Sequence, residues 1–410
     1  MIPMSFADLL NDSSVSLLAG ALDGGLRPLV PYSDEACAFL DSLSKRLLAD
    51  RQARAYPDVV SLAYWCRRSS LQAKRIEFER REGGRVRLGR GLALHIAPSN
   101  VPVNFAFSFV FSLLAGNANV VRVPTKQFGQ VDVICRAISE ELASHPNLAN
   151  QNAFVRYPSN KNEITEMLSE RADIRMIWGG DATVERIRAM KSAPRCVDIA
   201  FSDRYSVAVI NACEIRSLDE KSLEQLARAF YNDTYLMDQN ACSSPMIVFW
   251  LNDSRRARLT FWDAVARYAH NVYGLQPAIS VEKYVKLSED AAGGLVGDLC
   301  AKYDGYLTHV DVTKHIHDNP EGSLESLRGR GGYFYEAAID SIDGLLPLVT
   351  SKYQTLSYYG INPADVAQSI ATQGVVGFDR IVPIGKALDI DIVWDGHDLA
   401  AELSRIISQV

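Results

Sequence analysis

The sequence predicts an α/β protein with two similarly organised domains, because short apolar strands alternate with helical segments in both halves of the chain. The strands are apolar throughout rather than alternating, which is typical of a parallel sheet covered by helices on both faces. No internal repeat and no long flexible linker interrupts the pattern. Residues of about 90–210 are therefore expected to form a doubly wound domain of Rossmann type, followed by a second α/β domain.

The first predicted domain starts with an apolar strand over 91–97 that stops at Pro98. The stretch from Phe105 to Ala115 is apolar on all sides, which predicts a fully buried helix, and it is shorter than the roughly 20 residues needed to span a bilayer. Further strands are predicted at 119–123, 153–157, 174–178 and 196–201, with helices at 131–144, 161–170 and 182–191.

The second half starts with an amphipathic helix over 222–237, a polar turn over 238–245 and a strand over 246–251. Helices are then expected at 255–273, 363–372 and 398–408, with strands at 380–385 and 390–394. We divide the chain into an N-terminal helical region (1–85), a dinucleotide-binding domain (86–215), a catalytic domain (216–378) and a C-terminal segment that returns to the core (379–410).

Composition excludes several classes of protein. The 43 Lys and Arg against 49 Asp and Glu argue against nucleic acid as a partner, since phosphate backbones attract concentrated positive charge. The seven Cys include no CxxC pair, which excludes a zinc ribbon and a disulfide framework, so each thiol is first expected to be a small buried apolar group. The N-terminus lacks the features of a signal peptide, and we expect a cytoplasmic protein without a membrane span. His309, His315 and His317 are expected in a solvated loop that binds no metal.

Three short segments carry candidate chemistry. Gly179-Gly180-Asp181 lies at a strand-to-helix junction, where backbone amides can approach a pyrophosphate; a plain turn capped by Asp181 is the alternative. Cys242 lies in the polar turn between a helix and a strand, where a nucleophile is accessible, although a structural thiol is also compatible. Asn100 follows the first strand, where its amide suits an oxyanion, or equally a helix N-cap.

Taken in order, these segments resemble landmarks of the aldehyde dehydrogenase superfamily. Pro98-Ser99-Asn100 resembles the Pro-Trp-Asn of that family, and Val123-Pro124-Thr125-Lys126 resembles its Lys-Pro-Ser-Glu. The Gly-Ser-Thr turn falls on Gly180-Asp181-Ala182, and the catalytic cysteine on Cys242. The C-terminal run over 379–396 is similar to the branch that contains the fatty acyl-CoA reductase of bacterial bioluminescence, and the resemblance covers residues of about 60–410.

Departures from the family pattern change what the resemblance implies about the acyl partner and the cofactor. The family's water-activating Glu aligns with Ala200, so an acyl group on Cys242 has no dedicated route to a free acid, and a thiol such as coenzyme A becomes the natural partner. Lys126 replaces the Glu that holds an adenosine ribose in the family, which favours a 2′-phosphate and hence NADPH. Arg122 lies close enough in sequence to assist, and Thr125 is expected to help hold the ribose phosphate.

The resemblance thus implies an NADPH-dependent acyl-CoA reductase that works through a Cys242 thioester and releases coenzyme A. Asn100 and the backbone N–H of Cys242 would stabilise the oxyanion, and Pro98, Ser99, Gly179, Gly180 and Asp181 would line the cofactor site. Two alternatives stay open: reduction of an acyl phosphate or a protein-delivered acyl group, and a catalytically silent partner of an acyl-activating enzyme. A homodimer or homotetramer is expected from the family.

Overall fold

The structure, a computed structural model, describes residues 12–22, 25–98, 101–295, 299–302, 305–319 and 322–409. These residues form two compact units. The first comprises the described residues up to Ser202 together with those from His397 onward, and the second extends from Asp203 to Gly396. The sequence analysis placed this division at residue 215; the strand Tyr205–Asn211 lies in the second sheet, which moves the division to Asp203.

Strands and helices alternate along most of the described chain. The strands are β1 (Ser16–Leu22), β2 (Val86–Gly89), β3 (Leu92–Ile96), β4 (Ala118–Arg122), β5 (Gln151–Arg156), β6 (Ile174–Trp178), β7 (Val197–Phe201), β8 (Tyr205–Asn211), β9 (Pro245–Leu251), β10 (Leu299–Lys302), β11 (Leu307–Asp311), β12 (Tyr333–Ala338), β13 (Tyr353–Tyr359), β14 (Arg380–Pro383), β15 (Val393–Trp394), β16 (His397–Asp398) and β17 (Ser404–Ile407). The helices are α1 (Asp34–Ala49), α2 (Pro57–Trp65), α3 (Arg68–Glu82), α4 (Asn104–Leu114), α5 (Gly129–Leu142), α6 (Pro146–Ala149), α7 (Asn162–Ser169), α8 (Asp181–Arg188), α9 (Ala212–Ser217), α10 (Glu220–Thr234), α11 (Arg255–Val272), α12 (Pro277–Ala292), α13 (Thr313–Asp318), α14 (Ile342–Leu345), α15 (Pro363–Gln373) and α16 (Leu399–Glu402).

The main sheet of the first unit has, in the described residues, the strand order β1-β5-β4-β3-β6-β7. Strands β3 to β7 are parallel, and β1 adds an antiparallel edge beside β5. The chain moves outward from β3 to β5 and then returns to the other side of β3 with β6. This reversal is the topological switch point at which open α/β sheets bind ligands, beyond the carboxyl ends of their strands. The predicted doubly wound domain is confirmed.

Helix α4 is buried on every side, as its composition predicts. All of its residues from Phe105 to Leu114 are buried. Its rings pack edge-on against neighbours on both sides, with Phe109 4.8 Å from Phe154 and Phe111 5.5 Å from Trp65 between ring centroids. No helix within the described ranges is long and apolar enough to cross a membrane.

The second unit contains a sheet with the order β10-β11-β12-β9-β8-β13-β14 among the described strands. Apart from β10, which runs antiparallel to β11, these strands are parallel. Helices α10 and α11 pack on one face through a core that includes Phe230, Phe261 and Trp262. Strands β8 and β13, about 150 residues apart in sequence, are neighbours, and this pairing brings distant polar residues to the turn before β9.

Both ends of the first unit differ from the predicted secondary structure. The N-terminal region contains strand β1 besides its helices, because the small and apolar residues of Ser16–Leu22 complete the edge of the sheet. The helix predicted over 398–408 ends at Glu402, and Ser404–Ile407 is a strand that pairs antiparallel with β2. The β-branched Ile406 and Ile407 favour this extended conformation over a helix. In the second unit, the strand predicted over 390–394 is limited to Val393–Trp394.

Candidate active site

Cys242 lies in a tight turn between the short helical segment Tyr235–Met237 and strand β9. The backbone N–H of Ser244 donates to the carbonyl of Ala241 at 3.0 Å and closes the turn around the cysteine. The carbonyl of Cys242 accepts a hydrogen bond of 2.7 Å from the hydroxyl of Ser206, a residue of β8. The backbone of the predicted nucleophile is therefore held on both sides by bonds within the second unit.

Polar side chains from three other segments surround the Cys242 thiol. Gln354, from β13, is hydrogen-bonded to the thiol, and the charges of Asp395 and Arg204 act on it. Gln354 Nε2 also donates to Asp395 Oδ1 at 3.0 Å, and Arg204 Nη1 pairs with the same oxygen at 2.9 Å. The sequence did not predict these three residues as neighbours of Cys242. The pairing of β8 with β13 brings Arg204 and Gln354 together, and the turn after β15 adds Asp395 through its bonds to both.

Local sequence places the Asp395 carboxylate. Asp395 and Gly396 have φ values of 54° and 79°, so both adopt the left-handed conformation, and Asp-Gly is a preferred pair for a tight turn of this kind. The side chain of Asp395 is almost fully buried, which makes its ion pair with Arg204 stronger than one at the surface. Arg204 also pairs with Asp379.

Burial raises the pKa of the Cys242 thiol to about 11, and the Asp395 carboxylate adds to this effect. Gln354 and Arg204 act in the opposite direction by favouring the thiolate. The balance of these effects favours the protonated thiol at neutral pH. Cys66 and Cys135 are buried, and burial raises the pKa of both thiols as well.

The predicted glycine turn follows β6 as expected. Gly180 is the N-cap of α8, and the backbone N–H of Thr183 donates to its carbonyl at 2.8 Å. A side chain at Gly179 would meet the Thr183 side chain at 3.0 Å, so a glycine suits this position. Asp181 is the first residue of the helix rather than its cap, so the expected capping role is wrong, whereas a plain turn without a cofactor role stays an alternative.

The end of β4 presents two different cations. Thr125 and Lys126 are exposed, and the Lys126 ammonium lies 5.1 Å from the centre of the Phe128 ring. Arg122, the last residue of β4, is instead buried: its guanidinium lies 4.9 Å from the Tyr157 ring, and Nη2 donates weakly to the Tyr157 carbonyl at 3.4 Å. Its Nε is buried with no hydrogen-bond partner in the described structure. Burial lowers the pKa of Arg122.

Pro98 ends β3 as predicted, at the carboxyl edge of the first sheet. Ser99 and Asn100 lie outside the described residues, so the oxyanion role of Asn100 and the cofactor role of Ser99 stay predictions. Cys300 lies in β10, and its side chain is likewise outside the description.

A known protein family matches most of the chain. The sequence model of the family described as acyl-CoA reductase (LuxC) matches residues 41–406, which is most of the chain. The chain belongs to the LuxC family. This confirms the branch that the run over 379–396 was found to resemble.

Two curated relatives of the LuxC chain are long-chain acyl-protein thioester reductases. The protein of Aliivibrio fischeri is 23% identical over 167 residues, which is 40% of this chain and 33% of the relative. The protein of Vibrio harveyi is 22% identical over 166 residues, again 40% of this chain and 33% of the relative. The matched segment thus spans about one third of the length of each relative.

Solved structures share the fold of this LuxC member. Aldehyde dehydrogenase 21 of Physcomitrella patens, in complex with succinate, has a TM-score of 0.63 at 13% identity, with 91% of this chain and 85% of that chain covered. A 1-pyrroline-5-carboxylate dehydrogenase from Thermus with bound NAD has a TM-score of 0.62 at 14% identity, covering 92% and 81%. The chain therefore has the aldehyde dehydrogenase fold, as predicted.

The histidines of this LuxC chain are arranged differently from the expected solvated loop. His309 is buried in β11, where its Nδ1 bonds Glu336 at 2.8 Å and its ring stacks on Trp262. His315 and His317 lie on α13. Within the described ranges, no group of three or more His, Cys, Asp or Glu side chains is placed to hold a metal ion.

Proposed function

We propose that this LuxC-family protein reduces a thioester-activated acyl group to the aldehyde, with Cys242 as the nucleophile and NADPH as the reductant. The observation that carries the proposal is the Cys242 turn, in which the backbone is fixed and the thiol contacts Gln354 beside the Arg204–Asp395 ion pair. Thiols in such partly buried polar surroundings respond strongly to nearby charge, as acyl transfer requires.

Acyl transfer begins when the Cys242 sulfur attacks the carbonyl carbon of the donor thioester and the donor thiol leaves with a proton. The developing oxyanion would be held by the backbone N–H of Cys242 and by Asn100, and a single such donor contributes about 3–4 kcal/mol. Arg204 and Gln354 favour the thiolate that attacks. Bound NADPH would supply the hydride that reduces this acyl group, while Cys242 would hold the acyl group on its sulfur and release it as the aldehyde.

The family and fold support an oxidoreductase that acts on the aldehyde group. The identity of the acyl donor is proposed from two further observations. Ala200 in β7 offers no carboxylate to activate water, so a thiol is the better exchange partner for the acyl group. The two relatives are named for acyl-protein thioesters, which supports a protein-delivered acyl group alongside acyl-CoA. Acyl transfer to or from coenzyme A and from a carrier protein would use the same Cys242 chemistry.

The described residues fit a phosphorylated dinucleotide at the carboxyl edge of the first sheet. Gly179 and Gly180 precede α8 there and Asp181 is its first residue, a position where backbone amides suit a pyrophosphate. Arg122 ends the second strand of the doubly wound order, the position from which a cation reads a ribose 2′-phosphate in such sheets. A buried guanidinium with an unpartnered Nε is expensive unless an anion compensates it. We propose that Arg122, with Thr125 and Lys126, selects NADPH.

To test the proposal, the purified protein is incubated with a set of acyl-CoA and acyl-carrier thioesters, and the oxidation of NADPH is measured. We expect thioester-dependent oxidation that is lost in Cys242→Ala and kept in Cys213→Ala, a substitution at another partly buried thiol. Activity with acyl phosphate alone would favour the alternative donor. Full activity of Cys242→Ala would refute the proposed chemistry, and no activity with any donor would favour a silent partner protein.

A further inference from the structure

The turn that precedes Cys242 has an unusual backbone. Asp238 and Gln239 are consecutive non-glycine residues with φ values of 50° and 58°, so both adopt the left-handed conformation. A non-glycine residue in this conformation is strained relative to a glycine, and it persists only where its surroundings enforce it. The pair lies three and four residues before Cys242, so its conformation determines the direction in which the chain enters the nucleophile turn.

The Gln239 side chain enforces this conformation. It is buried, and its Oε1 accepts hydrogen bonds from the backbone N–H groups of Gly332 at 2.8 Å and of Tyr333 at 3.2 Å. Its Nε2 donates to the carbonyl of Tyr333 at 3.1 Å. The Gln239 amide thus bonds three backbone atoms where β12 begins, as an adjacent strand would. These bonds fix Gln239 relative to the sheet.

The glycine-rich loop over 329–332 leads into the backbone that makes these three bonds, which together we call the Gln239 clamp. Gly332 has a φ of 94°, and a side chain there would meet the Tyr306 carbonyl at 2.4 Å. The Gly331 N–H donates to the Asp238 carbonyl at 3.2 Å. The buried Lys283 donates to the Gly331 carbonyl at 2.8 Å and holds the loop from the far side.

A second contact holds the other strained residue. The hydroxyl of Tyr273, at the end of α11, donates to Asp238 Oδ1 at 2.5 Å. The two left-handed residues are therefore bonded separately, Asp238 through its side chain and carbonyl and Gln239 through its amide. Bonds of both kinds lie within the second unit, so this support depends on that unit alone.

We infer that Gln239 is a positioning residue for the Cys242 thiol: its three bonds to Gly332 and Tyr333 hold a strained turn that keeps the thiol against Gln354, Arg204 and Asp395. The inference rests on the proposed function for its catalytic meaning, but the position of the thiol can be measured without any substrate. Loss of the clamp would let the turn relax and would expose the sulfur to solvent.

Two measurements on Gln239→Leu separate positioning from general stability. Leucine keeps most of the volume and removes all three bonds. As the partly buried thiol becomes more exposed, its pKa falls from about 11 toward its ordinary value near 9, so alkylation by iodoacetamide at pH 8 becomes faster, by up to about 100-fold. Acylation of Cys242 by an acyl-CoA becomes slower by about 100-fold, since a displacement of about 1 Å costs that much.

Gln239→Gly is the second variant, because glycine adopts the left-handed conformation without strain although it also lacks the three bonds. We expect it to acylate faster than Gln239→Leu. Gln368→Leu, at an exposed glutamine of α15, is the matched control and should leave both rates within twofold. Thermal unfolding of each variant confirms that the folded protein is compared.

The outcomes are distinct. Faster alkylation with slower acylation in Gln239→Leu supports the inference. Unchanged alkylation and acylation in Gln239→Leu or, if that variant does not fold, in Gln239→Gly would overturn it. If the wild type accepts no acyl group but the alkylation rates change as expected, the proposed function fails while the positioning role of Gln239 stands.

Discussion

Arg204 and Asp395 form an ion pair of 2.9 Å beside the thiol of Cys242, and their effects on that thiol are opposite. The carboxylate raises the pKa of Cys242, and the guanidinium lowers it. Because Gln354 bonds both Asp395 and the thiol, the three side chains form one connected group around the sulfur. A change in any of them should therefore appear in the reactivity of Cys242.

Asp395→Asn should make the Cys242 thiol more reactive. Removal of the carboxylate removes one of the two causes that raise the thiol pKa, while Arg204 keeps its pair with Asp379. The thiolate fraction at pH 8 then increases, and we expect iodoacetamide to alkylate Cys242 several-fold faster. The pH dependence of alkylation measures this, with the exposed Asp365→Asn as control. A slower rate or an unchanged pH profile would show that Asp395 does not act on the sulfur.

Arg122→Leu should weaken binding of adenosine 2′,5′-bisphosphate by about 10–100-fold, because a charge-assisted hydrogen bond contributes about 1.5–3 kcal/mol. Binding of 5′-AMP, which lacks the 2′-phosphate, should change by less than threefold. Titration calorimetry measures both without any turnover. Arg85→Leu, at an exposed arginine before β2, is the control. Equal losses for the two ligands would mean that Arg122 supports the fold rather than the 2′-phosphate.

Lys126→Ala distinguishes the contribution of the exposed Lys126 to phosphate binding from that of the buried Arg122. Lys126 is solvated and lies over the Phe128 ring, so its attraction for a phosphate is screened by salt. We expect a loss of 2′,5′-bisphosphate affinity of less than tenfold, which disappears above about 0.5 M salt. The loss in Arg122→Leu should persist at that salt concentration. If Lys126→Ala lost more affinity than this and the loss persisted at high salt, Lys126 rather than the buried Arg122 would be the main contact of the 2′-phosphate.

His95 should make the first unit sensitive to acid. It is buried on β3 between Ser108 at 2.7 Å and Asn119 at 2.9 Å, and burial lowers its pKa to about 4. The unfolded chain binds a proton near pH 6.5, so the contribution of His95 to stability is present above that pH and is lost as the pH falls toward 4. Between pH 6.5 and 5 this amounts to about 2 kcal/mol.

Thermal unfolding of the wild type and of His95→Phe across this pH range tests that contribution. The variant should unfold at a lower temperature at pH 7, since Asn119 loses a partner, but its midpoint should fall less between pH 6.5 and 5. The exposed His317→Phe should follow the wild type. Parallel pH profiles of the wild type and His95→Phe would refute the role of His95.

Local sequence predicted much of the first unit, and the reason is visible in its strands. Strands β3, β4 and β6 are buried at every position, and continuous apolar runs between helical segments identify such strands. Ser404–Ile407 was predicted as part of a helix because four residues carry little periodicity, and their pairing with β2, over 300 residues away, decides the conformation.

The candidate site was predicted only in part. Cys242, the glycine turn and the end of β4 stand out locally, because turns at strand ends are recognisable from the sequence. Gln354 reaches the site through the strand pairing of the second sheet, in which Tyr353 lies beside Tyr205, and Asp395 is joined to the site by its bond from Gln354. The clamp of Gln239 likewise depends on β12, about 90 residues later. Such contacts follow from tertiary structure and leave no signal in the spacing of residues.

The most direct test of the central claim is the intact mass of the protein after incubation with a set of acyl-CoA and acyl-carrier thioesters in the absence of NADPH. We predict a mass increase of one acyl group, mapped by proteolysis to Cys242, absent in Cys242→Ala and discharged as aldehyde when NADPH is added. Attachment of the acyl group to another residue, or NADPH oxidation by Cys242→Ala at the wild-type rate, would contradict the account.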